Sequence, residues 1–325
     1  MPQSIPDPHF IIRTPAQVPV SESTSPIDLR GSRIDESLMA RSLSSNSQRA
    51  YRQDLKAFTD WTQAPWAMVS PRFVAQFKEH LMREEKGQRV RSDATVRRIL
   101  GTLKNFFGWM TRSRYLDFDP TLEIDLPKLP EPEADSLSQS EVERILDSAI
   151  SETTLPERNL AVLLLLLHGF RASEVCALNL EDYQDGTRLR IRQSKSDSKG
   201  TVPLNAAGRA ALNGYLGWRS ERGEILSPES PMFVSYSRQN AGARLTYGGI
   251  RTLIDKLSEK TGIDFHSHQG RHTFATNRVL AGMNPHHIMT IMRQKNPVNF
   301  RRYTKAAEQA AAEREFYKFE DELDE

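Results

Sequence analysis

The feature that most restricts this chain is the segment Leu126-Pro127-Lys128-Leu129-Pro130-Glu131-Pro132. Three prolines within six residues cannot continue a helix and favour an extended spacer. On both sides the hydrophobic spacing is helical, and each side of the 325-residue chain is long enough to bury a core of its own. Two domains are therefore expected, with a linker over 127–136.

Before the linker, residues 1–34 hold six prolines and little periodicity, and read as a disordered arm. Residues 35–126 read as a helical domain. Tyr51, Leu55, Phe58 and Trp61 recur at spacings of three and four after candidate caps at Ser44 to Ser47. Ser70-Pro71 starts a second helix that carries Phe73, Val74, Phe77 and Leu81 on one face. Ser92 or Asp93 caps a third, with Val96, Ile99, Leu100, Leu103, Phe106, Phe107 and Met110 inward, and Arg97, Arg98 and Lys104 on the other side.

After the linker, a domain over 137–307 opens with a helix capped at Ser138 or Ser140. A buried helix over 160–168 ends near Gly169, and a hairpin runs through 188–204 around a polar, basic turn. Further helices are expected over 206–219, 247–261, 272–280, 285–292 and 305–319. The fold class is mainly α with one small antiparallel sheet. The longest apolar run, Ala161 to Leu167, is too short to cross a bilayer, and no secretory signal is expected. Cys176 is the only cysteine, so an internal disulfide is excluded and a reducing cytoplasm is the expected setting.

The net charge of +2 hides an asymmetry. The tail, 308–325, carries eight acids against Arg314 and Lys318, so the first 307 residues hold the positive excess. Between Phe265 and Ala307 there is no acid, while seven Arg and Lys and five His occur. Such a stretch suits a surface facing a polyanion. The basic side of 92–114, whose ordinary reading is a solvated face opposite a core, is a second candidate for such a phosphate-gripping surface.

Metal-free transfer at a phosphodiester needs a nucleophile that stays attached, cations around the transition state and a proton donor for the leaving oxygen. Arginine suits the second task, because its planar fork binds phosphate bidentately and stays charged. The chain supplies Arg171, Lys195, His268 with Arg271, and Tyr303, in that order. Taken singly, each has an ordinary structural explanation.

Taken together they resemble the tyrosine recombinase (phage integrase and Xer-like) family. His168-Gly169-Phe170-Arg171-Ala172-Ser173-Glu174-Val175 resembles its Gly-hydrophobic-Arg-x-Ser-Glu box, and Lys195 stands eight residues before Pro203, as the family's hairpin lysine does. His268-Gln269-Gly270-Arg271-His272-Thr273-Phe274-Ala275-Thr276 resembles the His-x-Leu-Arg-His-Thr-Phe-Ala-Thr box, and Tyr303 follows Arg271 by 32 residues. The resemblance implies a SAM-like core-binding domain followed by a DNA breaking-rejoining catalytic domain. It implies a site-specific recombinase that needs no cofactor, binds double-stranded DNA and forms a tetramer on paired sites. Arg171 and Arg271 would clamp the phosphate, and His268 would support them or take the tyrosine proton. Lys195, with Lys199 as alternative, would protonate the leaving 5′-hydroxyl, and Tyr303 would form a 3′-phosphotyrosyl link. Glu174 would orient Arg171.

Two positions depart from the pattern. Gly270 replaces an apolar residue, which is expected to loosen local packing. Gln294 stands where the family's Leu-Gly-His box ends in His or Trp, and supplies an uncharged donor; Arg293 and Lys295 flank it and are the expected compensation. Two other readings stay open. One is a weakened DNA-binding relative, and the other a strand relaxer like the type IB topoisomerases.

Overall fold

The computed structural model describes residues 29–85, 88–130, 134–151, 154–192 and 199–323. Lys195 and residues 1–28 of the expected arm lie outside them. The chain divides into two compact units, Met1–Pro130 and Glu131–Glu325.

In the first unit the helices are α1 (Leu29–Met39), α2 (Ser45–Trp61), α3 (Pro71–Met82) and α4 (Asp93–Arg112). A two-residue hairpin, β1 (Glu84–Glu85) with β2 (Gln88–Arg89), joins the last two helices. Ser44, Ser70 and Ser92 each accept a backbone N–H at the start of their helix, as the spacing of caps predicts. The core is aromatic: Phe58 stacks on Trp66 and meets Phe77 edge-on at 4.9 Å between ring centroids. Contrary to the expected arm over 1–34, α1 begins at Leu29, and Ile34 and Leu38 are buried in this core. Its short length and weak patterning hide it in the sequence.

On the basic side of α4, the expected phosphate-gripping face, three cations already hold protein partners. Lys104 Nζ donates to the carbonyls of Thr121, Leu122 and Ile124, and Arg97 donates to that of Pro127. Arg98 pairs with the buried Asp54, whose other oxygen accepts from Thr102 Oγ1 at 2.9 Å. These cations fasten the following strand of chain and an internal carboxylate.

The second unit is built around α6 (Pro156–Leu167), which packs against α5 (Gln139–Ile150), α8 (Ala206–Glu221) and α10 (Ser267–Leu280). Between α6 and α8 lie the short α7 (Ala172–Ala177) and an antiparallel sheet of β3 (Tyr183–Gln184), β4 (Arg188–Ile191) and β5 (Gly200–Pro203), in that order. The remaining helices are α9 (Tyr247–Thr261), α11 (Pro285–Met292) and α12 (Pro297–Leu323). The expected hairpin is thus extended by β3, with Tyr183 opposite Leu189 and Leu189 opposite Val202. Residues 134–137 already belong to this unit. Asp135 Oδ1 accepts from Gln269 Nε2, and Leu137 N donates to Thr273 Oγ1. Among the described residues no helix is long and apolar enough to cross a membrane.

Three helices start earlier than their spacing predicts, the first being α6, at Pro156 rather than Leu160. α10 starts at Ser267 rather than His272, because His266 Nδ1 accepts from Gln269 N while Gln269 Oε1 accepts from His266 N. α12 starts at Pro297 rather than Lys305, so Tyr303 is a helical residue.

Gly270 does the opposite of loosening the packing. A Cβ at this position would lie 2.9 Å from Leu166 O and 3.0 Å from Leu166 C, both backbone atoms of α6. The missing side chain is what lets α10 approach α6 so closely. Glycine to alanine inside a helix ordinarily stabilises by about 1 kcal/mol. Here Gly270→Ala is expected to destabilise by about 1–3 kcal/mol through overpacking. Denaturant unfolding of the two proteins reads the sign directly.

Candidate active site

The site forms where α6, α7, α10, α11 and α12 converge. After α6 the chain turns through Gly169 at φ +85, a left-handed conformation that favours glycine. There a Cβ would also meet the Phe274 ring at 3.0 Å. The turn delivers Arg171 to the start of α7. Its N–H donates to Glu174 Oε2 at 2.9 Å, and its Nη1 donates to Oε1 at 2.7 Å. Glu174 is buried, and it also pairs with Arg293. Burial pushes its carboxyl up, but Arg293 first and then Arg171 hold it below the ordinary glutamate range.

Arg271, on α10, is 2% exposed. Its Nη1 donates to Gly169 O at 2.6 Å, and its Nη2 donates to Met292 O. Those carbonyls lie at the ends of α6 and α11, where helix dipoles favour a cation. Burial, then the charge of Arg171, pushes the guanidinium down to about 9, which leaves it protonated at neutral pH. Gln294 Oε1 stands 3.5 Å from Arg271 Nη2, so the amide oxygen faces this arginine.

Tyr303 is buried on α12 in a small core with Phe274, Ile288, Met292 and Phe300. Burial raises its hydroxyl pKa, and Arg302 and Arg271 offset part of that rise. Arg171 and Tyr303 both act electrostatically on Arg271, and Arg271 and Arg171 both act on His268. Arg171, His268, Arg271, Gln294 and Tyr303 are thus brought together. Partial desolvation, followed by Arg271, keeps His268 below the usual histidine range. Lys199 precedes β5 and shares with Gln294, Lys295 and His286 an open cleft of about 340 Å³.

Sequence reasoning missed His272 and misplaced Arg293. His272 is buried between His268 and Tyr303, at 5.4 Å from each between ring centroids. Among the described residues neither of its ring nitrogens has a hydrogen-bond partner, and burial pushes its pKa down to about 4. Arg293 was expected to compensate for Gln294 at the phosphate; instead it turns inward to Glu174. The signal for Arg293 was present, since a long cation occupies the glycine position of the Leu-Gly-His box.

The Phage integrase family matches residues 135–310, and its N-terminal SAM-like domain matches residues 35–114. The chain belongs to the phage integrase family. Its relatives include tyrosine recombinase XerC of Roseiflexus sp., 30% identical over 74% of this chain and 77% of that protein. Tyrosine recombinase XerD of Pseudomonas aeruginosa is 29% identical over 75% of this chain and 81% of that protein. Among solved structures, a lambda integrase(75–356) dimer bound to a COC′ core site has a TM-score of 0.66 at 18% identity. That likeness covers 85% of this chain and 94% of the integrase fragment, and concerns the fold. A site-specific tyrosine recombinase is accordingly the enzyme class of this family member, and the relatives favour recombination over strand relaxation alone.

Proposed function

We propose that this recombinase cleaves and rejoins double-stranded DNA through a covalent link to Tyr303. The phenolic oxygen attacks the scissile phosphorus, the bond to the 5′-oxygen breaks, and a 3′-phosphotyrosyl ester forms. The tyrosine proton passes to His268 or to solvent, and Lys195, or Lys199 in its place, protonates the departing 5′-hydroxyl. A second transfer, to the 5′-hydroxyl of a partner strand, restores the phosphodiester and frees the tyrosine. The ester count is conserved throughout, so neither a nucleotide cofactor nor a metal is required.

The observation that carries this reading is Arg271. Its buried guanidinium is fixed on two carbonyl oxygens and lies within electrostatic reach of both Arg171 and Tyr303. A preoriented cation pair of this kind stabilises charge that grows on non-bridging phosphate oxygens. Gln294 adds a neutral donor beside it. The test is a denaturation-resistant protein–DNA complex on nicked duplexes, followed by a four-way junction when two sites are present. Covalent complexes would set aside the weakened-relative reading, and junctions the strand-relaxing one.

The active assembly is a tetramer on paired sites. Supporting this, α12 continues some twenty residues past Tyr303 and leaves Phe316 and Tyr317 exposed, at 58% and 65%. Aromatic side chains on a helix that ends in acids suit a contact with a basic surface of a second copy. Deleting the residues after Ala307 is expected to leave single-site binding within about twofold, because the removed segment is acidic. It should abolish the two-site complex. Electrophoresis with one-site and two-site DNA compares the two, and normal pairing by the truncated chain would remove the tail from the assembly.

A further inference from the structure

Arg293 follows α11 at φ 54, a left-handed position that favours glycine. The backbone therefore gives no reason for an arginine here, and the side chain must supply it. That side chain is 4% exposed and runs inward. Its stem passes β5, where a Cβ on Gly200 would lie 3.7 Å from Arg293 Cδ, and its guanidinium sits 5.2 Å from the Phe170 ring centre. Nη1 donates to Ile291 O at 2.7 Å, Nη2 donates to Glu174 Oε2, and Nε approaches Glu174 Oε1 at 3.4 Å.

Glu174 thus carries an arginine from each side. With Arg171 as its sole cationic partner, the carboxylate would cancel the charge of Arg171 in a largely desolvated setting, where such pairing is strong. With Arg293 on both oxygens, the three groups together keep one positive charge, and Arg271 brings a second. We propose that Arg293 is a positioning residue for DNA cleavage: it neutralises Glu174 so that Glu174 aligns Arg171 without cancelling the charge that meets the scissile phosphate. This rests on the cleavage reaction proposed above.

Two variants of the full chain test it, on a nicked duplex recovered from a randomised pool by covalent capture with the native protein. Arg293→Gly suits the turn and removes the cation; its covalent complex is expected to form about tenfold more slowly or worse. Adding Glu174→Gln removes the carboxylate charge that Arg293 offsets, and the double variant is expected to react several-fold faster than Arg293→Gly alone. A purely structural ion pair would restore the rate only in step with stability, so thermal unfolding of each variant is read beside its rate. Arg293→Gly cleaving at the native rate, or a double variant no faster than the single one, would overturn the role of Arg293. Failure of the native protein to capture any duplex would instead overturn the cleavage reaction itself.

Discussion

Tyr303→Phe is expected to remove covalent protein–DNA complexes altogether while DNA affinity stays within about twofold of native. The substitution deletes one oxygen. The ring keeps its packing against Phe300, at 5.1 Å between centroids, and against His272, at 5.4 Å. The cations proposed to bind the phosphate sit at the start of α7 and on α10 and do not depend on the hydroxyl. Tyr317 provides the internal control. It lies on the same helix but is 65% exposed amid the acidic tail, and Tyr317→Phe should form covalent complexes normally. Denaturing electrophoresis of each variant with labelled nicked DNA distinguishes them. A covalent adduct surviving in Tyr303→Phe would move the nucleophile elsewhere.

Arg271→Ala should combine a kinetic loss with a loss of stability. Removing a preoriented donor from a developing oxyanion typically slows reaction by about 10²–10³-fold. The same change strips the partner from Gly169 O and Met292 O, at a cost of about 1–3 kcal/mol for each acceptor left buried. Arg271→Lys separates the two effects. An ammonium restores the charge but cannot bridge both carbonyls as the planar fork does, so cleavage should stay slow while part of the stability returns. Single-turnover cleavage and thermal unfolding of the pair measure these effects. Native cleavage by Arg271→Lys would show that charge alone suffices there.

What the sequence disclosed, and what it hid, follows from the range of the forces involved. Caps at Ser44, Ser70 and Ser92 act over three residues and could be read directly. So could the order of Arg171, His268, Arg271 and Tyr303, because their spacing reflects elements of fixed length. The inward turn of Arg293 could not, since its partner Glu174 is 119 residues away and periodicity says nothing of which way a residue after a helix end points. Gly270 misled for the same reason: the backbone it accommodates belongs to Leu166, on another helix. Lys104 and Arg98 looked like a free basic stripe because the groups they hold, at Thr121 to Ile124 and at Asp54, lie outside their own helix.

One continuous helix carries Tyr303 near its start and the acidic tail at its end. From Tyr303 to Leu323 that rod measures about 30 Å at 1.5 Å per residue. Its near end is seated by Phe300 among Phe274, Ile288 and Met292, which makes that core a fulcrum. A lateral shift of roughly 3 Å at the far tip of such a rod turns it by about 6°. At the phenolic oxygen that rotation amounts to a displacement of about half an ångström, and misplacements of about 1 Å can change rates a hundredfold. In the proposed reaction, a second copy gripping the tail would therefore set the aim of Tyr303, so that one covalent rod would couple the state of the assembly to the chemistry at its other end.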